Sequence, residues 1–507
     1  MTFALATVVA MYGAFMAVGW LASRKVRHGT AADLIVAGRQ MPFWIAALTM
    51  TATWVDGGYL LGTTEAVYKD STQLGLQGGL CFGISLILGG AFFADRMRRF
   101  GFTTLIDPFE ARFGRRWAAV LALPAMAAEL FWSAELLVAI GSTFGVLLGM
   151  DLARAILLSA IVTTAYTALG GMWSVAYTDV FQLALVALGL SAALPYVLDG
   201  AGGLSPAWHA YVATRPHSAG VIPPLAATAP AWTPAAIVGW WDVTLMLMCG
   251  GIPWNCYFQR VLSCRTPADA RRQSVLAGVM TILFTVPPLL MGVAAFSYPW
   301  PADVVAQLSV SPADAMPLLF ARAVPPVIGL FGLAAIVGAV TSSFSSSILS
   351  AGAMLSWNVV RRLVWPTLSV RWMAHLIRAA ILILAVLATV MALRVRSVQA
   401  LWFFTSDLVF VLLFPQLLAA LFDAKANRIG SIAAFSTSAF LRFGAGEPLL
   451  GLPGFLHYGD QVPFRTLAAV AGLVLLPLVS RLTAPLDTPR PLRPMVPLQA
   501  GDAEAGR

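Results

Sequence analysis

Residues 54–58 read Trp-Val-Asp-Gly-Gly and lie in the middle of an apolar segment, residues 41–67. Residues 250–254 read Gly-Gly-Ile-Pro-Trp and interrupt a second apolar segment, residues 236–258. Paired glycines weaken a helix, and proline lacks the amide hydrogen that would continue it. Inside a membrane, the backbone groups freed by such a break are tolerated only where they line a cavity or bind something. The two sequences therefore predict broken helices at a functional site.

The composition is that of a membrane protein. Of 507 residues, 59% are hydrophobic and 11% are charged, and the mean hydropathy is +0.81. The surface of a soluble domain of this size needs more polar side chains. Long apolar runs recur along the chain, so we predict an all-α membrane protein with thirteen transmembrane helices. The predicted spans are residues 3–22, 41–67, 74–94, 117–147, 153–170, 173–198, 236–258, 273–297, 325–357, 374–393, 397–422, 428–444 and 464–482.

The basic residues predict the orientation in the inner (plasma) membrane, because cytoplasmic loops carry an excess of lysine and arginine. With the N-terminus outside and the C-terminus in the cytoplasm, the cytoplasmic side holds 24 of the 32 basic residues, including Lys25, Arg27 and Arg96. The other side holds Lys69, Arg154, Arg215, Arg322, Arg394, Arg396, Arg442 and Arg465. This topology accounts for the net charge of +9, which is therefore no sign of nucleic-acid binding.

The two breaks are five spans apart, which predicts an inverted repeat of five plus five helices, each with a broken first helix. In a transporter, such a repeat places the substrate site near the membrane midplane. Glycine packing between helices is the alternative explanation of either motif alone. The predicted units are a first helix and cytoplasmic loop (1–40), the first repeat (41–198), an extracytoplasmic loop (199–235), the second repeat (236–422), two further spans (423–483) and a disordered cytoplasmic tail (484–507).

Tryptophans at the breaks indicate the kind of solute. Trp54 and Trp254 lie about mid-span, where anchoring at the membrane interface does not explain an indole. Trp402 lies in the last helix of the second predicted repeat. A quaternary ammonium ion has no N–H to donate, and aromatic faces attract its diffuse charge by about 2 kcal/mol per desolvated contact. Several indole rings around one cavity therefore suit such a cation.

Residues 341–347, in span nine, read Thr-Ser-Ser-Phe-Ser-Ser-Ser and supply hydroxyl groups inside the membrane. Hydroxyl and free carbonyl oxygens are hard ligands suited to sodium. The alternative is that each serine bonds to its own helix one turn back; carbonyls freed in span two would favour the ion site. Carboxylates inside spans are usually functional or paired. The predicted spans contain Asp56, Glu65, Glu129, Glu135, Asp179, Asp242 and Asp407.

Over nearly its whole length the sequence resembles the choline-transporter branch of the sodium:solute symporter family. The matching stretches are residues 49–55 (TMTATWV), 62–68 (GTTEAVY), 85–90 (SLILGG), 174–180 (SVAYTDV), 250–254 (GGIPW), 257–263 (YFQRVLS), 414–418 (FPQLL) and 446–448 (GEP). The resemblance implies a thirteen-helix, leucine-transporter-like fold. It also implies a sodium-coupled symporter that imports choline or a closely similar quaternary ammonium solute by alternating access.

The resemblance also implies a set of site residues. Choline would be caged by Trp54, Trp254, Trp402 and Trp132, with Phe82 at a position where the family has tyrosine. Asp56 and Asp242 are the carboxylates that we assign to the substrate region. The sodium ligands would be the carbonyls of Ala52, Val55 and Ala339 and the hydroxyls of Ser342 and Ser343, with Asp179 on the sodium exit route. Animal members also depend on chloride, for which the sequence locates no site.

Two further departures from the family concern charge. The family has glycine where this chain has Asp56, and aspartate where it has Ser345, so we expect Asp56 to replace the charge lost from span nine. If Asp56 faces the cavity, a protonatable amine or a doubly cationic solute is an alternative substrate, as are betaine and proline. A membrane enzyme is a weaker alternative, because the five histidines lie in loops or at span ends. The oligomeric state is not predicted.

Overall fold

The computed structural model describes residues 2–24, 31–228, 231–366, 368–395 and 398–494. Lys25, Arg27, Arg396 and residues 495–507 of the predicted tail lie outside the described residues. Within those ranges the chain is helical, and its β structure amounts to three isolated bridges. The predicted all-α class is therefore confirmed.

The first half of the chain supplies ten of the described helices. They are α1 (Thr2–Ser23), α2 (Ala31–Val36), α3 (Phe43–Trp54), α4 (Gly57–Lys69), α5 (Thr72–Leu88), α6 (Asp95–Arg99), α7 (Asp107–Phe113), α8 (Arg115–Leu148), α9 (Leu152–Gly200) and α10 (Leu204–Thr214). A π-helical segment, Gly89–Ala94, joins α5 to α6 without a loop.

The second half of the chain is also helical. Its described helices are α11 (Pro234–Gly250), α12 (Asn255–Ser263), α13 (Pro267–Phe284), α14 (Val286–Ser297), α15 (Ala302–Val310), α16 (Ala315–Arg322), α17 (Pro326–Met354), α18 (Val370–Val395), α19 (Val398–Leu408), α20 (Phe414–Phe422), α21 (Arg428–Gly444) and α22 (Phe464–Leu482). Two further π-helical segments, Leu355–Val364 and Val409–Leu413, extend α17 and join α19 to α20.

Ten helical segments of the described residues are long and apolar enough to cross a membrane. Three predicted spans are not among these ten. The span 41–67 is divided into α3 and α4, and α21 has only 17 residues. The span 153–170 is the first part of α9, whose 49 residues are divided at Gly171, with φ 54°. A straight helix of 49 residues would be roughly 70 Å long, more than twice the thickness of the hydrocarbon core of a membrane. The kink at Gly171 divides α9 into two shorter segments, each closer to the length of a single span.

The centre of the bundle is α17, which carries the serine-rich run. All residues from Gly332 to Met354 are buried, and the helix packs against α3, α8 and α9. Peripheral helices are exposed and apolar instead. The exposed residues of α18 include Leu382, Ile383, Val386 and Val390, as expected of a helix that faces lipid.

Both predicted helix breaks are present. At the first, Val55 and Asp56 separate α3 from α4; at the second, residues 251–254 separate α11 from α12. The glycines permit close packing at both places. A Cβ atom built on Gly57 would lie 2.3 Å from Cγ2 of Val340, and one on Gly251 would lie 2.4 Å from Oγ of Ser85. The two breaks therefore pack closely against neighbouring helices. They also leave backbone carbonyl and amide groups without their usual helical partners.

The chain after α22 lies against the helical core as far as it is described. The guanidinium of Arg112 donates a hydrogen bond of 2.5 Å to the carbonyl of Arg490, and Leu492 packs against the hydrophobic core. These contacts fall within the first part of the predicted tail.

Candidate functional site

Five aromatic rings form one cluster at the two helix breaks. Trp54 ends α3 and Trp254 precedes α12, and their ring centroids are 6.0 Å apart. Trp132 of α8 lies 5.7 Å from Trp54 and 5.2 Å from Trp254. Phe82 of α5 stacks on Trp54 at 5.6 Å with an interplanar angle of 3°, and Trp402 of α19 lies 5.9 Å from Phe82. The structure thus brings together all five predicted aromatic residues, which we call the ring cluster.

The ring cluster is buried, yet two of its polar atoms have no partner. Trp54, Trp132 and Trp254 are each at most 4% exposed. The indole N–H groups of Trp54 and Trp254 have no hydrogen-bond partner within the described ranges. Because buried donors are normally paired, these two call for an explanation beyond core packing.

Asp56 links the first break to the ring cluster. Its Oδ1 accepts the amide hydrogen of Tyr59 at 2.6 Å, which caps α4, and its Oδ2 accepts the indole hydrogen of Trp132 at 2.8 Å. Aspartate is a favoured N-cap, and the helix dipole favours a negative charge at this end. The carboxylate therefore orients one ring of the cluster and brings a negative charge beside it.

The serine hydroxyls of α17 meet the freed carbonyls of α3. Ser342 Oγ donates to the carbonyls of Ala52 and Ala339, each at 2.9 Å. Ser343 Oγ donates to the carbonyls of Thr53 at 2.8 Å and Ala339 at 3.3 Å. The break removes the helical amides that would otherwise bond to Ala52 and Thr53. Four of the five predicted sodium ligands therefore lie in one small oxygen-rich volume.

The fifth predicted sodium ligand is not joined to this group. The hydrogen bonds of the described residues connect the Thr53 carbonyl, rather than that of Val55, to the hydroxyls. Thr53 was not among the ligands predicted from the sequence. Helix packing decides which carbonyls at the end of α3 face α17, and the sequence alone does not specify that packing. Ser345, where the family has aspartate, donates to the Ser342 carbonyl of its own helix at 2.9 Å. The predicted replacement of its charge by Asp56 stays a prediction.

Asp179 lies beside the serine run in a fully buried ion pair. Its carboxylate bonds to the guanidinium of Arg260 at 2.9 Å, and it also accepts the hydroxyl hydrogen of Thr49. The same guanidinium donates to Ser346 Oγ at 2.5 Å. The predicted span 236–258 ends before Arg260, whereas α12 continues to Ser263 and the Arg260 side chain is buried. Arg260 lies within residues 257–263, one of the stretches that resemble the family, and this was the sequence feature that could have indicated its importance.

Asp242, which the sequence analysis assigned to the substrate region, bonds in this structure to residues of α22 rather than to the ring cluster. Its Oδ1 accepts hydrogen bonds from the backbone and hydroxyl of Thr466 at 2.8 and 2.7 Å, and its Oδ2 lies 3.4 Å from Arg465. Arg465 also contacts Asp407, which pairs with Arg442 at 2.5 Å. These ion pairs link α11, α19, α21 and α22, so Asp242 and Asp407 are paired with arginines in this structure.

A cleft of about 100 Å³ borders one residue of the ring cluster, Trp402. Its rim includes Glu65, Lys69 and Asp70 at the end of α4, and its floor includes Gly58 and Trp402. A solute that enters between α4 and α5 along this cleft would meet acidic side chains first and an aromatic ring afterwards. The cleft thus extends from the exposed end of α4 to Trp402 of the ring cluster.

Comparison with known sequences identifies the family. The family model described as "Sodium:solute symporter family" matches residues 34–437. High-affinity choline transporter 1 of Caenorhabditis elegans is 36% identical over 503 residues, covering 94% of this chain and 84% of the relative. The human high-affinity choline transporter 1 is 36% identical over 491 residues, covering 93% of this chain and 83% of the relative.

Comparison with solved structures gives the fold. A Na+-coupled sialic acid symporter, in a substrate-bound outward-open state, superposes with a TM-score of 0.77 at 20% identity, covering 96% of this chain and 98% of the other. Mhp1, a nucleobase-cation-symport-1 family transporter in a closed conformation, gives a TM-score of 0.54 at 13% identity, covering 90% and 95%. This chain therefore has a transporter fold, and it belongs to the sodium:solute symporter family.

Proposed function

We propose that this chain is a sodium-coupled symporter that imports choline or a closely similar quaternary ammonium solute. The observation that carries the proposal is the meeting of Trp54, Trp132 and Trp254 at two helix breaks. Family membership and the two choline-transporter relatives support the same function. An enzymatic role has no comparable support.

The ring cluster suits a cation that cannot donate hydrogen bonds. Each desolvated indole face contributes about 2 kcal/mol to binding of such a cation. The free N–H groups of Trp54 and Trp254 are available to a hydroxyl oxygen of the solute. The carboxylate of Asp56 adds attraction for positive charge. Betaine and proline carry a carboxylate of their own, which the negative charge of Asp56 would repel. A protonated amine remains the second candidate, favoured by the same carboxylate.

Sodium is proposed to bind between α3 and α17 as the coupling cation. The carbonyls of Ala52, Thr53 and Ala339 and the hydroxyls of Ser342 and Ser343 supply five oxygen atoms there. A hydroxyl that turns its hydrogen away presents a lone pair, so these groups suit a hard cation. The ion would hold the broken helix against α17 and so stabilise the adjacent ring cluster. Asp179 would then stand on the exit route.

The finer architecture is part of the same proposal. Thirteen spans, with inverted repeats at residues 41–198 and 236–422, would place both breaks at corresponding positions. The excess of basic residues in the predicted cytoplasmic loops supports an outside N-terminus and a cytoplasmic C-terminus in the inner (plasma) membrane. In that orientation the cleft at Lys69 and Asp70 opens to the outside.

Uptake of labelled choline by the full chain in proteoliposomes tests the function. We expect accumulation driven by an inward sodium gradient, and little uptake when lithium or a proton gradient replaces it. Parallel series with and without chloride measure chloride dependence. Chromatography of the contents should show unchanged choline, whereas conversion would indicate an enzyme. Failure to accumulate choline with sodium, together with uptake of betaine, proline or a primary amine, would overturn the substrate assignment.

A further inference from the structure

The carboxylate of Glu135 is buried, and neither oxygen has a hydrogen-bond partner among the residues that the structure describes. Glu135 follows Trp132 by one turn of α8 and is 0% exposed. An ionised carboxylate in such a place is strongly disfavoured unless a cation accompanies it.

Glu135 points at the start of α4, beside the first helix break. A Cβ atom built on Gly58 would lie 2.3 Å from Oε1 of Glu135 and 3.5 Å from Oδ1 of Asp56, so these two oxygens lie within about 6 Å of each other. Asp56 has two donors and the N-terminus of α4 to stabilise its charge. Among the described residues, no hydrogen-bond donor reaches the carboxylate of Glu135, which instead lies beside that of Asp56.

Many of the other charged side chains on α8 and on the helices packed against it have partners elsewhere, while Glu65 and Lys69 of α4 line the cleft. α17 carries no acidic or basic side chain between Pro326 and Met354. Partners are found for the following groups: Glu129 with Ser350 and the Cys256 amide, Asp179 with Arg260, Asp407 with Arg442 and Arg465, Asp107 and Glu110 with Arg362, Arg322 with Asp303, Arg112 with Ala420, Arg378 with Ala168, Asp314 with Gln307, and His375 with Trp372. Asp56 is the charged group that the structure places directly beside Glu135.

We propose that Glu135 is a proton-binding site coupled to the ring cluster, occupied when no organic cation is near and released when one binds. A proton suits the site because Oε1 lies directly against Gly58, where a larger cation would need further oxygen ligands. A cation held among Trp54, Trp132 and Trp254 stands next to the Asp56–Glu135 pair and stabilises the ionised form of Glu135. Gly58 lines the cleft, so the released proton can pass to water there.

Coupling of this kind is reciprocal. If an organic cation expels the proton, then removing the proton by raising the pH must strengthen binding of the cation by the same factor. The inference rests on the proposed function, because it requires that an organic cation binds in the ring cluster. It extends that function by making solute affinity depend on pH through one named side chain.

Choline binding to the purified full chain at saturating sodium tests the proton site, with tryptophan fluorescence as the readout between pH 5.5 and 8.5. For the wild type we expect the dissociation constant to fall by about tenfold or more with rising pH. Glu135→Gln, which is close to isosteric and cannot release a proton, should give a flat profile. Glu135→Asp retains an ionisable group and should keep the slope. Calorimetry in two buffers of different ionisation enthalpy should detect proton release in the wild type but not in Glu135→Gln.

Two outcomes separate this inference from the proposed function. Choline binding whose pH profile is the same in the wild type and Glu135→Gln, with no proton release, overturns the proton site and leaves choline transport intact. Absence of choline binding to the wild type at every pH overturns both. If Glu135→Gln fails to fold, proton release by the wild type and the profile of Glu135→Asp still decide the question.

Discussion

The carboxylate of Asp56 and the indole of Trp132 are joined by a hydrogen bond of 2.8 Å. Asp56 lies at the break between α3 and α4, and Trp132 lies on α8, 76 positions along the chain. The other oxygen of the same carboxylate caps α4 at 2.6 Å. One side chain therefore determines where a helix restarts, how a ring of the cluster is oriented and what charge lies beside it.

Asp56→Asn is expected to weaken choline uptake while preserving the fold. Asparagine caps helices about as well as aspartate and keeps an acceptor for Trp132, but the negative charge is lost. We expect the choline concentration at half-maximal uptake to rise on the order of tenfold, about 1.4 kcal/mol. The sodium concentration needed should also rise. Unchanged sodium dependence would contradict the replacement of the Ser345 charge by Asp56.

Trp254→Leu tests the ring cluster directly. Loss of one desolvated cation–π contact, about 2 kcal/mol, should raise the choline dissociation constant roughly thirtyfold. Trp254→Phe retains an aromatic face and should lose less. Trp44→Leu is the matched control, because Trp44 is 66% exposed on the outside of α3. Equal effects of Trp254→Leu and Trp44→Leu on choline affinity would rule out a specific role for the cluster.

Ser342→Ala combined with Ser343→Ala is expected to impair the response to sodium. The double change removes two of the five proposed oxygen ligands, so the sodium concentration at half-maximal uptake should rise at least tenfold at saturating choline. Ser345→Ala is the control, since the hydrogen bond of its hydroxyl among the described residues stays within α17, to the Ser342 carbonyl. Sodium titrations of the three proteins in proteoliposomes make the comparison, and identical half-saturation would exclude these hydroxyls as ligands.

Gly57→Ala should destabilise the first break by steric overlap. The added Cβ would lie 2.3 Å from Cγ2 of Val340, and neither helix can move freely in a close-packed interior. We expect a loss of roughly 1–3 kcal/mol, read as a lower thermal unfolding temperature and reduced uptake. Val340→Ala in the same chain removes the contacting methyl groups and should restore part of both. Additive losses in the double variant would show that the two residues do not meet.

Arg260→Met should be strongly destabilising, because it leaves the carboxylate of Asp179 buried and unpaired. Both side chains are 0% exposed, and breaking such a pair typically costs about 3–5 kcal/mol. Adding Asp179→Asn removes the orphaned charge and should recover much of the loss. Thermal unfolding of the detergent-solubilised proteins measures the coupling. A single variant as stable as the wild type would contradict the ion pair.

The sequence located the breaks and the rings because both are local chemical signals. Paired glycines, a proline and an N-capping aspartate restrict the backbone wherever the rest of the chain lies. It also indicated the oxygen-rich run 341–347. It could not identify Thr53 as an oxygen donor or assign Asp242 to a pairing with Thr466, since each depends on which helix faces which.

By itself, the sequence determined that the chain is helical, apolar and interrupted at residues 54–58 and 250–254, because composition and helix breaking act over a few residues. Only the tertiary structure decided that rings from α3, α5, α8 and α19 meet beside Trp254, and that Glu135 lies beside Asp56 with no hydrogen-bond partner among the described residues. Contacts between residues on different helices, 28 or more positions apart, follow from helix packing, which no local pattern specifies.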